Sequence, residues 1–489
     1  MRMRPALLMK RHIGICIAIV AIGFAFRVMA ALIWQNSISG ESFLRFGDSD
    51  SYWTMAKKIG QGLPYQYGSS NSRVFRAPLY PLFLSPWTWI DGTSERATWM
   101  AILAARIAGC FMGALCIAII IRLTNKLFCN PIGRPSVEVG IWAGLLVALY
   151  PGAIGMSIFI LSEAIFCPLM LLSLGCISHA IQAKKQERWE VAWSWMLSSG
   201  AISGAACLAR PSWSLWPAVL FSYLIVVMFQ SSSGTLAKNR LGWRWIFSCV
   251  LFCVGICMVM IPWWVRNYLE TDKFVPTTLQ VGASLYDGWH PGASGSSDEG
   301  MKFVNAFIKD QNTADHREIL AGNKLVSTLE WRLDQRLKNA AIGWAFENSS
   351  DAMRLGLVKF LKTWSPLPVA RELGSDAVRW LEAIGYSAIM SFAVIGIWQC
   401  RSQIGAWLFA MPCVYFALLH VFFVGSVRYR QPAVLAICVL GGVGCTTIVR
   451  WIYSKPVDGK TSRSPTKENG TKLDGSVTSN DVTADNSPD

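Results

Sequence analysis

Asp48 and Asp50 lie in the stretch from 46 to 81, FGDSDSYWTMAKKIGQGLPYQYGSSNSRVFRAPLYP, and Arg73 and Arg76 follow in the same stretch. A carboxylate can take a proton from a hydroxyl, and an arginine fork can hold two oxygens of a phosphate. Arg210, Arg266, Arg428 and Arg430 stand in later polar intervals, and Glu163 and His420 lie near the ends of apolar runs. Together the arginines point to a phosphorylated, membrane-embedded ligand. Each residue alone has a plainer duty. The aspartates suit helix N-caps, Glu163 a bond to a neighbouring helix, each arginine a lipid headgroup or loop carboxylate, and His420 a packed interior position.

What positions these groups is a membrane. Of the 489 residues, 53% are hydrophobic and only 15% charged, and the mean hydropathy is +0.37. Runs of about 20 apolar residues, each long enough for a hydrocarbon layer of about 30 Å, fall near 12–34, 98–121, 138–156, 158–180, 191–209, 212–229, 245–265, 378–398, 405–425 and 431–452. The expected class is an all-α polytopic membrane protein with about ten transmembrane helices. The net charge of +15 does not indicate nucleic acid, because the basic residues collect in alternate loops. Arg2, Arg4, Lys10 and Arg11 precede the first run, Arg122, Lys126 and Arg134 follow the second, and Lys184, Lys185 and Arg188 follow the fourth. By the positive-inside rule these loops and both termini are cytoplasmic.

The chain then divides into a cytoplasmic N-terminus and first span (1–34), a first outer loop (35–97), spans two to seven (98–265), an outer loop with a small helical subdomain (266–377), spans eight to ten (378–453) and a disordered cytoplasmic tail (454–489). The first apolar run, long and without a clear cleavage site, reads as a retained anchor. In the first loop, Met55, Ala56, Ile59 and Leu63 share one helix face, giving a surface helix over 53–63 with the aspartates just before it. Residues 150–157 read as a tight outer hairpin, 282–300 as a Gly/Ser-rich loop, 314 to about 347 as helices and 353–364 as an amphipathic stretch. None of the 14 cysteines lies in the two outer intervals, which excludes a disulfide-stapled exterior. The five histidines show no spacing with Cys or carboxylates that would signal a metal.

Several short patterns recur in order along the chain: Asp48-x-x-x-Tyr52, Gly62-x-Pro64-Tyr65, Arg76-x-Pro78-Leu79-Tyr80-Pro81, Leu161-Ser162-Glu163, Ala209-Arg210-Pro211, Pro262-Trp263-x-x-Arg266-Asn267 and Arg428-Tyr429-Arg430-x-Pro432. This ordered set resembles the polytopic GT-C glycosyltransferases, specifically the bacterial relatives of the dolichyl-phosphate-mannose protein mannosyltransferases and of the aminoarabinose transferase acting on lipid A. The resemblance implies a GT-C fold with a helical first outer loop and an outer subdomain. It also implies a sugar donor on a polyprenyl phosphate, used at the outer face of the inner membrane, and transfer with inversion to a lipid, glycan or protein acceptor. Carried over by position, Asp48 resembles the catalytic aspartate and Arg76 a contact to the donor phosphate, with Tyr52, Arg73, Glu163, Arg210, Arg266, His420, Arg428 and Arg430 as further substrate-binding candidates. Many protein mannosyltransferases have Asp-Glu at the catalytic position. Here Ser49 follows Asp48, which keeps Asp50 as an alternative base and weakens the case for a protein acceptor.

On this reading an acceptor hydroxyl attacks the anomeric carbon through an oxocarbenium-like transition state, Asp48 takes its proton, and arginines stabilise charge on the departing phosphate. The chemistry requires no divalent metal, although the sequence does not exclude one. A polytopic transporter or flippase of a lipid-linked or anionic substrate is the alternative, and it predicts charges deep within several spans.

Overall fold

In the computed structural model, residues 5–38, 43–68, 72–92, 94–128, 136–230, 235–298, 301–367 and 376–454 are described. The expected tail from 455 onward lies outside them. Among the described residues every regular element is helical apart from an isolated bridge between Tyr67 and Ser72. Eight helices among the described residues are long and apolar enough to cross a membrane: His12–Ser37, Glu95–Leu127, Glu163–Lys185, Trp189–Ala209, Pro211–Met228, Gly242–Thr271, Asp376–Gln399 and Val427–Tyr453. The third apolar run becomes a bent pair, Val137–Leu149 and Pro151–Ile158, with 59° between its halves. The ninth forms the shorter helix Met411–Phe422.

The bend has a local cause. Pro151 forces Tyr150 into extended backbone (φ −69°, ψ 118°), so the last carbonyls of the first half lose their helical donors. Arg27, fully buried in the first span, supplies them. Its Nη2 donates to the Val147 carbonyl at 2.9 Å and its Nη1 to the Ala148 carbonyl at 3.3 Å, while its Nε reaches Ser157 Oγ at 3.2 Å. The expected hairpin over 150–157 is largely the helix Pro151–Ile158, and the carbonyls left open at the end of the preceding helix find their partner inside the protein.

Small residues set the closest helix contacts. A Cβ on Gly200 would lie 2.0 Å from the Phe252 carbonyl oxygen, and one on Gly255 2.3 Å from that of Leu197. Only glycine lets the Trp189–Ala209 and Thr235–Thr271 helices meet backbone to backbone. Gly396 and Gly444 do the same for the Asp376–Gln399 and Gln431–Ser454 helices.

At one end of the bundle two polar regions meet. The first loop folds into helices Gly47–Gly60 and Leu79–Leu84 and a 3₁₀ turn Ser85–Trp89. The second region contributes helices Val281–Gly288, Phe303–Leu320, Leu329–Glu347 and Ser349–Trp364. The first of these forms where a Gly/Ser-rich loop is expected. The two regions are joined by the Leu279 N–H donating to the Val74 carbonyl at 2.9 Å. Glu330 Oε2 also accepts from the Arg73 and Val74 N–H groups at 2.8 and 3.1 Å.

Candidate active site

The helix carrying the aspartates starts earlier than its apolar periodicity indicates, at Gly47, with Phe46 as N-cap and no side-chain capping bond. Asp48 and Asp50 therefore stand within the first turn and neither caps it. Placed there, a carboxylate gains from the helix dipole and keeps both oxygens for other partners.

Asp48 uses them on two arginines. Arg76 Nη2 donates to Oδ1 at 2.6 Å, and Arg428 Nη1 to Oδ2 at 2.9 Å. Arg428 also forks onto Glu163, Nε to Oε1 at 2.6 Å and Nη2 to Oε2 at 3.3 Å. Arg210 Nη1 shares Oε1 of Glu163 at 2.5 Å, and its Nε reaches Ser212 Oγ at 3.0 Å. Five charged side chains thus form one chain of contacts, Arg76, Asp48, Arg428, Glu163 and Arg210. Side-chain exposure falls along it from 33% at Asp48 to 0% at Glu163, so the network opens at Asp48. Beneath Glu163 a cavity lined by Arg27, Gly113, Cys116, Ser157 and Leu435 measures about 10 Å³, room for about one water.

Each arginine is also fixed from outside the carboxylates. Arg76 donates from Nε to Ser51 Oγ at 3.0 Å and from Nη1 to Gln280 Oε1 at 2.8 Å, and its guanidinium lies 4.9 Å from the ring centres of both Tyr52 and Phe75. Tyr52 in turn packs edge-on to Tyr80 at 4.9 Å. Arg210 lies over Tyr429 at 5.4 Å. Partial burial alone would raise the Asp48 carboxyl, but the Arg76 and Arg428 guanidiniums outweigh it and hold that carboxyl well below the usual range. The same pairing raises Arg76 against the pull of burial.

Of the residues singled out by sequence, Asp48, Arg76, Tyr52, Glu163, Arg210 and Arg428 come together. The others are engaged elsewhere. Asp50 is exposed and accepts from Tyr67 Oη at 3.1 Å. Arg73 pairs with Glu270 at 2.6 Å, and Arg266 packs over Tyr65 and Trp263 while donating to the Tyr65 carbonyl. Arg430 turns away to Glu382, the Ser365 carbonyl and the Tyr386 ring. His420 is buried, bonded to the Val424 carbonyl at 3.0 Å and stacked on Tyr429. It is one stacked ring away from the network rather than in it. Sequence reasoning missed Ser51 and Gln280, which carry no charge signal, and Arg27, a lone basic residue inside an apolar run.

A divalent cation does not fit this donor set. All four oxygens of Asp48 and Glu163 face guanidinium nitrogens. Among the described residues no three His, Cys, Asp or Glu side chains converge to hold a metal.

No family model and no curated protein sequence matches the chain. Among solved structures, the oligosaccharyltransferase AglB from Archaeoglobus fulgidus, in complex with an inhibitory peptide and a dolichol-phosphate, superimposes with a TM-score of 0.53 at 13% identity. The alignment covers 93% of this chain and 52% of AglB. The same enzyme in its apo form gives 0.53 at 14% identity, over 90% and 51%. The chain has the GT-C fold. It spans about half the length of these AglB structures. ArnT from Cupriavidus metallidurans bound to undecaprenyl phosphate aligns over 87% of this chain at 13% identity, with a TM-score of 0.37.

Proposed function

We propose that this GT-C chain is a glycosyltransferase of the bacterial inner membrane. It moves a sugar, with inversion, from a polyprenyl-phosphate carrier to a hydroxyl on a lipid, glycan or protein acceptor, at the outer face. The observation that carries the reading is Asp48 held between Arg76 and Arg428 at the open end of the ion network. In the reaction the acceptor oxygen bonds to the anomeric carbon as the bond from that carbon to the phosphate oxygen breaks. The acceptor's proton passes to an Asp48 oxygen, and the carrier leaves as a phosphate monoester. Arg76 and Arg428 stabilise the charge growing on that monoester, each already oriented by neutral or anionic partners. Glu163 and Arg210 hold Arg428 in place. AglB was solved with a dolichol-phosphate, a lipid of the same chemical class as the proposed carrier.

The test is mass spectrometry of envelope glycans and glycolipids from cells producing the wild-type chain, the Asp48→Asn chain, or neither. The wild type is expected to add a hexose- or pentose-sized mass that Asp48→Asn fails to add. Loss of a general base typically costs about 10²–10⁴-fold in rate. Full product with Asp48→Asn would move the base assignment to Asp50. No product with the wild type, together with flux of a lipid-linked sugar in proteoliposomes, would replace the reading with transport.

A further inference from the structure

A general base works best when its proton affinity lies near the working pH. In this structure Asp48 is held far from that condition by two guanidiniums. The same contacts contain a resolution. We infer that Asp48 sits in the seat that a phosphate takes between Arg76 and Arg428, and that the carrier phosphate docks by displacing this carboxylate, which is thereby released to face the acceptor. The inference rests on the glycosyltransferase reading and adds an order of events to it.

Three features support it. First, both guanidiniums stay in place without Asp48. Arg76 keeps Ser51, Gln280 and its two aromatic faces, and Arg428 keeps both bonds to Glu163, which Arg210 also holds. The nitrogens facing Asp48, Arg76 Nη2 and Arg428 Nη1, are the ones left over. They form a ready clamp for two oxygens of one anion. Second, Asp48 is the most exposed member of the set, 33% against 12% for Arg76 and 21% for Arg428, so an arriving ligand meets it first. Third, Asp48 is lightly tethered. It follows Gly47 in the first turn and makes no capping bond. The Ser51 bond goes to its backbone carbonyl, at 2.8 Å, and survives a turn of the side chain. Once out of the seat, Asp48 loses both direct guanidinium bonds while the phosphate neutralises the same arginines, and both changes make it a better proton acceptor.

The experiment measures binding of farnesyl phosphate, inorganic phosphate and farnesol to the purified full chain in detergent, for the wild type, Asp48→Asn and Asp50→Asn. Removing the competing carboxylate should tighten farnesyl phosphate by about tenfold or more in Asp48→Asn, because two charge-assisted bonds no longer have to be broken. Asp50→Asn, which removes the same charge without touching the clamp, should change it by less than about threefold. A parallel gain for inorganic phosphate supports exchange at the phosphate itself, and a gain for farnesol alone overturns it. Equal tightening in both variants, or weaker binding in Asp48→Asn, also overturns it. Difference infrared spectra of the wild type guard against a misfolded variant. A carboxylate band that moves on adding farnesyl phosphate, and is missing in Asp48→Asn, is expected, and a static band refutes the exchange. If no variant binds farnesyl phosphate, the glycosyltransferase reading itself falls. If wild type and Asp48→Asn bind it equally, only the exchange does.

Discussion

Replacing Glu163 by Gln strikes the most deeply buried member of the network. Its carboxylate accepts from Arg428 and Arg210 with no exposure to solvent. Glutamine keeps one acceptor oxygen but turns an NH₂ group, a donor, toward guanidinium donors. The network is then left with three guanidiniums and one carboxylate, Asp48, which Arg210 does not reach. Removing one partner of a buried ion pair costs about 3–5 kcal/mol, chiefly because the other charge stays buried without compensation. At about 2 cal/mol/K per residue, the unfolding entropy of 489 residues is about 1 kcal/mol/K, so the loss should read as a fall of about 3–5 °C in Tm. Thermal unfolding in detergent measures it. The double variant Glu163→Gln with Arg210→Met removes one charge of each sign, and replacing a whole buried pair is often close to neutral. It should recover at least half of the loss. A single variant that melts within about 1 °C of wild type would refute the network as a structural unit. A double variant whose loss equals the sum of the two single losses would do so as well, since it would show the two residues to be uncoupled.

Burial lifts the Glu330 carboxyl from 4.5 to about 7 despite the two N–H groups it accepts. The folded chain therefore holds a proton there that the unfolded chain has lost. This contribution to stability is complete below about pH 4.5 and fades as pH rises toward 7. Melting curves from pH 4.5 to 8 should show the decline in the wild type and a flatter profile in Glu330→Gln, and an unchanged slope in the variant would count against the assignment. Gly200→Ala places a methyl 2.0 Å from the Phe252 carbonyl oxygen, whereas Gly242→Ala meets nothing within 4 Å. The first should lower Tm by several degrees and the second leave it unchanged or slightly higher, since alanine is the better helix former.

The spans were legible because lipid imposes one requirement, about 20 apolar residues per crossing, and composition records it directly. The start of the Gly47–Gly60 helix was not, because Phe46 caps it without a side-chain signal. The fate of the arginines was legible only in part. Arg428 and Arg430 are two residues apart in one short turn, yet one joins Asp48 and the other Glu382, a choice made by the direction of that turn and not by residue type. Gln280 could not be found from sequence, since its role exists only where the Leu279–Val74 contact brings two distant loops together.

The charge count of the network bears on why it has this composition. Three guanidiniums and Glu163 form a fixed frame of two net positive charges, into which Asp48 adds one negative. On the proposed reading, the carrier-linked sugar is a phosphodiester with one further negative charge, so the loaded site is neutral. Transfer then converts the diester into a monoester approaching two negative charges, while Asp48 takes up the acceptor's proton and becomes neutral. The site is balanced before and after the chemical step, and charge moves within it from Asp48 to the phosphate. Without the carrier the frame and Asp48 together carry one uncompensated positive charge, which favours capture of the next lipid phosphate. A lysine in place of Arg428 would keep this count. It could not fork onto Glu163 while presenting a separate nitrogen to Asp48, because an ammonium is a point charge without the guanidinium's planar geometry.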